Sequence, residues 1–291
     1  MIPVLFGAAA LFGLGEVAAA EEKSNQAKKI DEQAAKIAED AQAQLKNSHE
    51  IMTKVLSKLG KTKMDLMKGD ITDVANFMSK LYKKFRLNHD TEGLRELEAN
   101  GINEQTLNAV TTLSKETLEL SESTKFNHEI DGSLGAIGAL GGAALGFGVI
   151  AAPALLLYGF MKSDEATKIL YEAKTRLDKA NYYAERSKNI SALFNAISTR
   201  GTQMNDLLCN LKHYFDPAVE QLKEVDRLNG GNYTFKNYSP EHKATIFYAW
   251  LIMETVKTIV DVSMIHEDWS INPDIEKPIE NGEKAVALLA N

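Results

Sequence analysis

The stretch GSLGAIGALGGAALGFGVIAAPALLLYGFM, residues 132–161, decides how this chain is interpreted, because it contains no charged side chain. Elsewhere the 291-residue chain is rich in Asp, Glu, Lys and Arg, which make up 25% of it. A helix needs roughly 20 consecutive apolar residues to cross a bilayer, and this central island exceeds that length. We therefore predict that the protein enters a membrane through the central island.

Small residues recur inside the central island at the spacing of a glycine zipper. Gly138, Gly142 and Gly146 are four residues apart, and Ala139 and Ala143 lie beside them. Lipid gives helices little hydrophobic reason to associate, so close approach of backbones through small residues becomes the means of contact. The pattern predicts helix packing between copies of the protein. The plainer interpretation is that glycine and alanine simply accumulate in apolar spans.

The path of the central island is open between two forms. As one straight helix it would be about 45 Å long, against a hydrocarbon core near 30 Å. Gly148 and Pro153 offer positions for a kink or turn, although hairpin arms of about 14 residues are too short for two full crossings. Lysines follow both this island and the amino-terminal one, and the positive-inside tendency places them in the cytoplasm. Both a single crossing and a re-entrant hairpin are retained as predictions.

The amino terminus, residues 1–20, is a second apolar island, MIPVLFGAAALFGLGEVAAA. Its alanines at 18–20 resemble the cleavage site of a signal peptide. No Lys or Arg precedes the apolar residues, however, and Glu16 lies just before the candidate cut. We therefore predict a retained membrane anchor that either spans the membrane or lies on it, with these anchoring side chains: Leu5, Phe6, Leu11 and Phe12.

Outside the islands the sequence predicts an all-α fold, an elongated bundle of long amphipathic helices. Apolar residues recur at steps of three and four, the spacing of one helical face. We divide this part into two halves of a helical stalk, residues 21–131 and 162–228, followed by a carboxy-terminal helix and tail, residues 238–291. The long helices on either side of the central island are predicted to pair antiparallel.

Local signals place the ends of individual elements. Residues 88–90, Asn-His-Asp, interrupt the pattern, and helices are predicted over 91–99 and 104–125. Ser163 is expected to begin the second long helix, which ends at Pro217. Residues 229–232, Asn-Gly-Gly-Asn, predict a loop, and Ser239 with a following proline predicts the start of a core helix. The segment from residue 272 contains two prolines and is expected to be a loosely held tail with a short helix near its end.

Composition argues against several functions. The net charge is −7 with acidic and basic residues intermixed, whereas a nucleic-acid-binding protein would present a basic face. Cys209 is the single cysteine, expected to be a buried small hydrophobe, so no intramolecular disulfide forms. The six histidines are scattered. We predict no catalytic residues, no metal site and no cofactor.

Four sequence features resemble a poorly characterised family of bacterial helical membrane-associated proteins. They are the opening IPVLFGAAALFGLG, the step LGKTK at 59–63, the glycine-rich centre, and YFDPAV at 214–219. This resemblance implies a helical membrane-associated architecture and a bacterial origin, with no activity attached. An apolar segment between long helices is also similar, more loosely, to the α-helical pore-forming toxins, in which such a segment is released to insert and oligomerise.

Two functional hypotheses follow from the sequence. The first is a protein that inserts into a lipid bilayer, forms homo-oligomers through the glycine zipper and perforates or perturbs the membrane. The second is a membrane-anchored scaffold whose long helices polymerise or recruit a protein partner without forming a pore. Either places the protein at a membrane, the bacterial inner membrane by the resemblance, with the long helices in the cytoplasm. Nucleic acid is not expected as a partner.

Overall fold

The computed structural model describes residues 6–122, 169–231, 233–266 and 270–290, and gives only the backbone for 6–23, 114, 116–122 and 169–171. These ranges are helical, with one isolated antiparallel bridge between Ile265 and Ile271 and no strand. The predicted all-α class is confirmed. Among the described residues, no helix is at once long enough and apolar enough to cross a membrane. The central island lies outside the described residues.

Seven α-helices are seen in the described ranges. They are α1 (Phe6–Leu66), α2 (Thr72–Leu87), α3 (Thr91–Ala99), α4 (Glu104–Glu122), α5 (Ile169–Leu228), α6 (Pro240–Asp261) and α7 (Glu276–Leu289). A π-turn, Met67–Ile71, joins α1 to α2, and 3₁₀ turns at Phe235–Asn237 and Pro273–Ile275 precede α6 and α7. The chain forms two compact units: unit 1 is Met1–Ile51 with Ala151–Asn195, and unit 2 is Met52–Ile150 with Ala196–Asn291.

The predicted helix starts in unit 2 are confirmed by their caps. Asp90 caps α3 by accepting a hydrogen bond from the backbone N–H of Gly93 at 3.0 Å. Ser239 caps α6 by accepting from the N–H of His242 at 3.2 Å. The predicted loop at 229–232 contains Gly230 at φ 56°, a left-handed backbone angle that glycine adopts without steric cost. Short-range chemistry therefore fixes these boundaries.

The long helices run further than the sequence pattern predicts. Helix α1 already includes residues 6–20 of the amino-terminal island, and α5 continues through Pro217 to Leu228. An internal proline removes one helical hydrogen bond and destabilises a helix. The turns after Pro217 are nevertheless held by burial of apolar side chains on one face: Ala218, Val219, Leu222 and Val225. The predicted start of this helix at 163 lies outside the described residues.

Unit 2 has an aromatic and aliphatic core built on α2 and α6. The ring of Phe85 makes edge contacts with Phe235 and Tyr238, with centroid separations of 6.2 and 6.4 Å. Helix α6 was predicted to be a core helix, and this is confirmed by the side chains it buries: Ile246, Ala249, Trp250, Ile252, Met253, Val256, Ile259 and Val260. Apolar contacts across α2 and α6 therefore hold the unit together.

The carboxy-terminal segment is packed, so the prediction of a loosely held tail is wrong. Ile275 and Ile279 are fully buried. At Gly282, an added Cβ would lie 2.7 Å from Ile259 Cδ1 and 2.8 Å from Leu207 Cδ2. Two prolines suggested a break in structure, but they occupy the first turns around α7, where a missing N–H costs little.

A Gly93→Ala substitution is expected to lower the free energy of unfolding by about 1–3 kcal/mol, the usual cost of overpacking a core. The new Cβ would lie 2.6 and 2.7 Å from ring atoms of Phe85, and Phe85 is fully buried and cannot move aside freely. Urea denaturation measures the effect. Gly69→Ala is the matched control, because nothing lies within 4 Å of its added Cβ. Equal stability of the two variants would contradict the packing at Gly93.

Candidate functional site

The residues predicted to act in the membrane fall mainly outside the described part of the chain. This applies to the glycine-zipper residues Gly138, Gly142, Gly146, Ala139 and Ala143, to the kink positions Gly148 and Pro153, and to Leu5 of the anchor. Phe6, Leu11 and Phe12 belong to α1, whose backbone alone is given there. These assignments stay predictions. The described residues instead show what the two apolar islands lead into.

In unit 1, α1 and α5 run parallel. The guanidinium of Arg176 donates two hydrogen bonds to the carboxylate of Asp31, each 2.8 Å long. Eighteen residues further along both helices, the rings of His49 and Phe194 meet edge to face at 5.5 Å between centroids. In both pairs the two residue numbers differ by 145. Because the residue numbers of the paired side chains increase in the same direction along α1 and α5, the two helices are parallel. The predicted antiparallel pairing is wrong.

The physical reason for the parallel pairing is visible in unit 2. Arg86, at the end of α2, forms an ion pair with Glu104 at the start of α4 at 3.5 Å. Helix α4 packs along α2 and also contacts the π-turn where α2 begins, so it runs back against α2. The chain was expected to reverse its direction between the two long helices. It reverses instead at α4, which runs antiparallel to α2. Helix α5 is then free to follow the direction of α1.

Small side chains line the facing sides of the two helices in unit 1 at intervals of seven residues. Helix α1 buries Ala27, Ala34, Ala41 and Ser48, and α5 buries Ala173, Ala180 and Ser187. Seven-residue repeats keep one side of a helix facing its partner, and small residues let backbones approach closely. Ala34, Ala41 and Ser48 are all buried on this side of α1, as close packing requires. The hydroxyls of Ser187 and Ser191 are buried without a hydrogen-bond partner.

In unit 2, a series of polar pairs joins the segment of α1, π-turn and α2 to α5. The hydroxyl of Thr62 donates to Asn205 Oδ1 at 2.8 Å. Lys212 donates to Asp70 at 2.8 Å and to Asp216 at 2.6 Å. Burial raises the pKa of Asp70, and the hydrogen bond from Lys212 opposes that rise. Asp70 belongs to the π-turn, and its carboxylate contacts Lys212. π-Turns are frequently found at functional positions.

The same series continues to the end of α5. Lys80 donates to both carboxylate oxygens of Asp226 at 3.0 and 2.9 Å, and the hydroxyl of Tyr233 donates to Asp226 Oδ1 at 2.7 Å. Lys223 forms an ion pair with Asp73 at 3.0 Å. Exposed pairs of this kind contribute little stability each, about 0–1 kcal/mol. Their value is in fixing the register between the two helices.

Lys63 is the most unusual ionisable group in the described residues, because its side chain is completely buried. Its ammonium donates one hydrogen bond to the carbonyl oxygen of Val262 at 3.2 Å, at the end of α6. Burial lowers the pKa of Lys63 to about 7, against the opposing charge of Asp261. A lysine on a predicted amphipathic helix is expected to be exposed to solvent, so the burial of Lys63 could not be predicted from the sequence.

A groove of about 400 Å³ lies between α4, α6 and α7 in unit 2. The indole N–H of Trp250 is buried there beside the carboxyl of Glu254. Burial raises the pKa of Glu254, and the hydrogen bond from the indole N–H of Trp250 to that carboxyl acts to lower it. Leu251 lines the groove and is 61% exposed. Apolar and polar side chains both line the groove.

Two features of the chain bear on nucleophilic and metal chemistry: the single cysteine, a candidate nucleophile, and the side chains in the described ranges that are candidate metal ligands. Cys209 is exposed, so its predicted burial is wrong: Leu208 and Leu211 occupy the buried face of α5, and Cys209 projects from another side. Within the described residues, no three His, Cys, Asp or Glu side chains are placed to hold a metal ion.

The chain was compared with protein-family models, with curated proteins and with solved structures. No match was found in any of the three comparisons. The function is therefore argued from the sequence and from the geometry above.

Proposed function

We propose that the protein inserts into a lipid bilayer, forms homo-oligomers through the glycine zipper and perforates or perturbs the membrane. Gly138, Gly142 and Gly146 pack inserted segments together, with Ala139 and Ala143 beside them. The amino-terminal island anchors the protein. The described residues from 24 onward stay outside the hydrocarbon, on the cytoplasmic side of a bacterial inner membrane.

The parallel direction of α1 and α5 in unit 1 is the observation that carries this proposal. The amino-terminal island, residues 1–20, overlaps the start of α1, and the central island, residues 132–161, precedes α5 in the sequence. Asp31 and Arg176 lie shortly after the two islands and are bonded to each other. Both islands therefore connect to the same end of unit 1. An antiparallel pair would have connected them to opposite ends.

The shared end gives a physical route to insertion. Two apolar segments that emerge together can enter one patch of membrane, and their burial contributes favourable free energy in proportion to apolar area, roughly 25 cal/mol per Å². The Asp31–Arg176 bond and the small-residue seam hold the two helices side by side at that end. Membrane entry of one island then brings the other to the same surface.

Leakage of a trapped dye from liposomes tests the proposal. The protein is expected to release dye, and Gly142→Leu is expected to reduce the release at least tenfold, because a leucine on the zipper keeps helices apart. Gly141→Leu is the matched control, because residue 141 is adjacent but not on the four-residue stripe. Release that is unchanged by Gly142→Leu, or lost equally in both variants, would count against the zipper.

The alternative is a membrane-anchored scaffold whose helices recruit a protein partner. The groove beside Leu251 favours it, because an apolar side chain exposed at a concave surface can pack against a partner. This alternative predicts flotation with liposomes and chemical cross-links between copies, without dye release. The same liposome experiment therefore separates the two functions.

A further inference from the structure

We infer that the described residues of unit 2, both those before the central island and those after it, stay on one side of the bilayer, so that the chain enters and leaves the membrane through the same face. The inference rests on the proposed function, because it assumes that the central island inserts. It selects between the two topologies that the sequence left open, the single crossing and the re-entrant hairpin.

Hydrogen bonds in unit 2 join residues that precede the central island to residues that follow it. Asn88 donates its side-chain amide to the carbonyl oxygen of Tyr233 at 2.9 Å. Asp90 accepts a hydrogen bond from the backbone N–H of Phe235 at 2.6 Å. Further bonds of this kind are Thr62–Asn205, Asp70–Lys212, Lys80–Asp226 and Lys63–Val262. A single crossing would put the partners of every pair on opposite sides.

The apolar core makes the same connection. The π-turn and α2, before the island, pack on α6, after it, and Phe85 lies against Phe235 and Tyr238. Burying one large apolar side chain contributes about 1.5–3 kcal/mol. A domain of this size has a total stability of only about 5–15 kcal/mol. Separating the two halves would expose several fully buried side chains and unfold unit 2.

The length of the central island then limits how deep it goes. One complete crossing needs roughly 20 apolar residues, so two crossings need roughly 40. Residues 132–161 are long enough for one crossing and too short for two. An island that returns to its own side with arms of about 15 residues reaches roughly 22 Å into a hydrocarbon core near 30 Å. The lipid that it contacts is therefore mainly the nearer leaflet. Backbone at the turn needs cover from protein, which neighbouring copies packed through Gly138, Gly142 and Gly146 supply.

Two matched serine-to-cysteine variants test the inference in a Cys209→Ser background, which removes the exposed native thiol. Ser121→Cys lies before the central island and Ser163→Cys after it. Each full-length variant is added to preformed liposomes and treated with a membrane-impermeant maleimide before and after detergent. We expect the fraction labelled before detergent to be the same at the two positions, within about twofold. One position labelled and the other protected would overturn the inference.

Flotation of the same samples separates this inference from the proposed function. Protein that does not float with the liposomes contradicts membrane insertion itself. Protein that floats but labels oppositely at the two positions leaves insertion standing and shows that unit 2 opens across the membrane. Leu288→Cys, exposed on α7, reports the side that unit 2 occupies and is expected to match both test positions.

Discussion

A Lys63→Met variant is expected to be more stable than the wild-type protein by about 1–4 kcal/mol at pH 7 and below, as found when well-packed apolar residues replace buried charges. The side chain of Lys63 is fully buried and has a single acceptor, the carbonyl oxygen of Val262. An ammonium in that position loses its hydration and recovers only one of three hydrogen bonds. Methionine has similar volume and no charge to desolvate.

The stability advantage of Lys63→Met is expected to shrink as the pH rises. Burial lowers the pKa of Lys63 to about 7 from its ordinary value of 10.5. Between these two values the unfolded chain keeps a proton that the folded chain has lost, so raising the pH favours the folded wild type by up to about 1.4 kcal/mol per pH unit. Below pH 7 both states are protonated, and the difference between variant and wild type becomes constant.

Urea denaturation at pH 6, 8 and 9.5 measures both effects, with tryptophan fluorescence as the probe. Taking the difference between variant and wild type removes the contribution of every other ionisable group. Lys61→Met is the matched control, because Lys61 is exposed two residues away. Its stability is expected to stay within about 0.5 kcal/mol of the wild type. A pH-independent difference for Lys63→Met would show that Lys63 is hydrated in the folded protein.

An Asp90→Ala variant is expected to lose about 3 kcal/mol of stability. One carboxylate oxygen of Asp90 accepts from the N–H of Gly93 at 3.0 Å, and the other accepts from the N–H of Phe235 at 2.6 Å. Loss of a helix cap costs about 1 kcal/mol, and a hydrogen bond to a charged acceptor contributes about 1.5–3 kcal/mol. Alanine leaves both backbone donors without a protein acceptor.

The contribution of each oxygen can be separated with Asp90→Asn. Asparagine keeps one acceptor oxygen, so we expect it to retain roughly half of the stability that alanine loses. Glu92→Ala is the control, because Glu92 is an exposed carboxylate whose ion pair with Lys236 is 3.9 Å long. It is expected to change stability by less than about 0.5 kcal/mol. A loss for Glu92→Ala as large as that for Asp90→Ala would point to general charge effects.

Local chemistry in the sequence was sufficient to predict much of the helical layout. Ser239 was recognised as a helix start because its side chain accepts from an exposed N–H group three residues later. The start of α3 was placed by the interruption of the apolar pattern at 88–90, and the cap by Asp90 was seen only in the structure. The loop at 229–232 was recognised because Gly230 tolerates a left-handed backbone. The continuation of α5 through Pro217 was missed, because burial of apolar residues beyond the proline, such as Val219, outweighs its local cost.

The apolar islands, the helical class and the small-residue stripes were determined by the sequence alone, because each depends on residue type and spacing within one segment. The direction of α5 relative to α1 was decided only by the tertiary structure. A seven-residue stripe has the same appearance in a parallel and an antiparallel pair, and the choice depends on how α4 reverses the chain. The burial of Lys63 and the pairing of Asp31 with Arg176 were decided in the same way. They join residues more than a hundred positions apart, and no pattern within one helix encodes which side chain of another will face it.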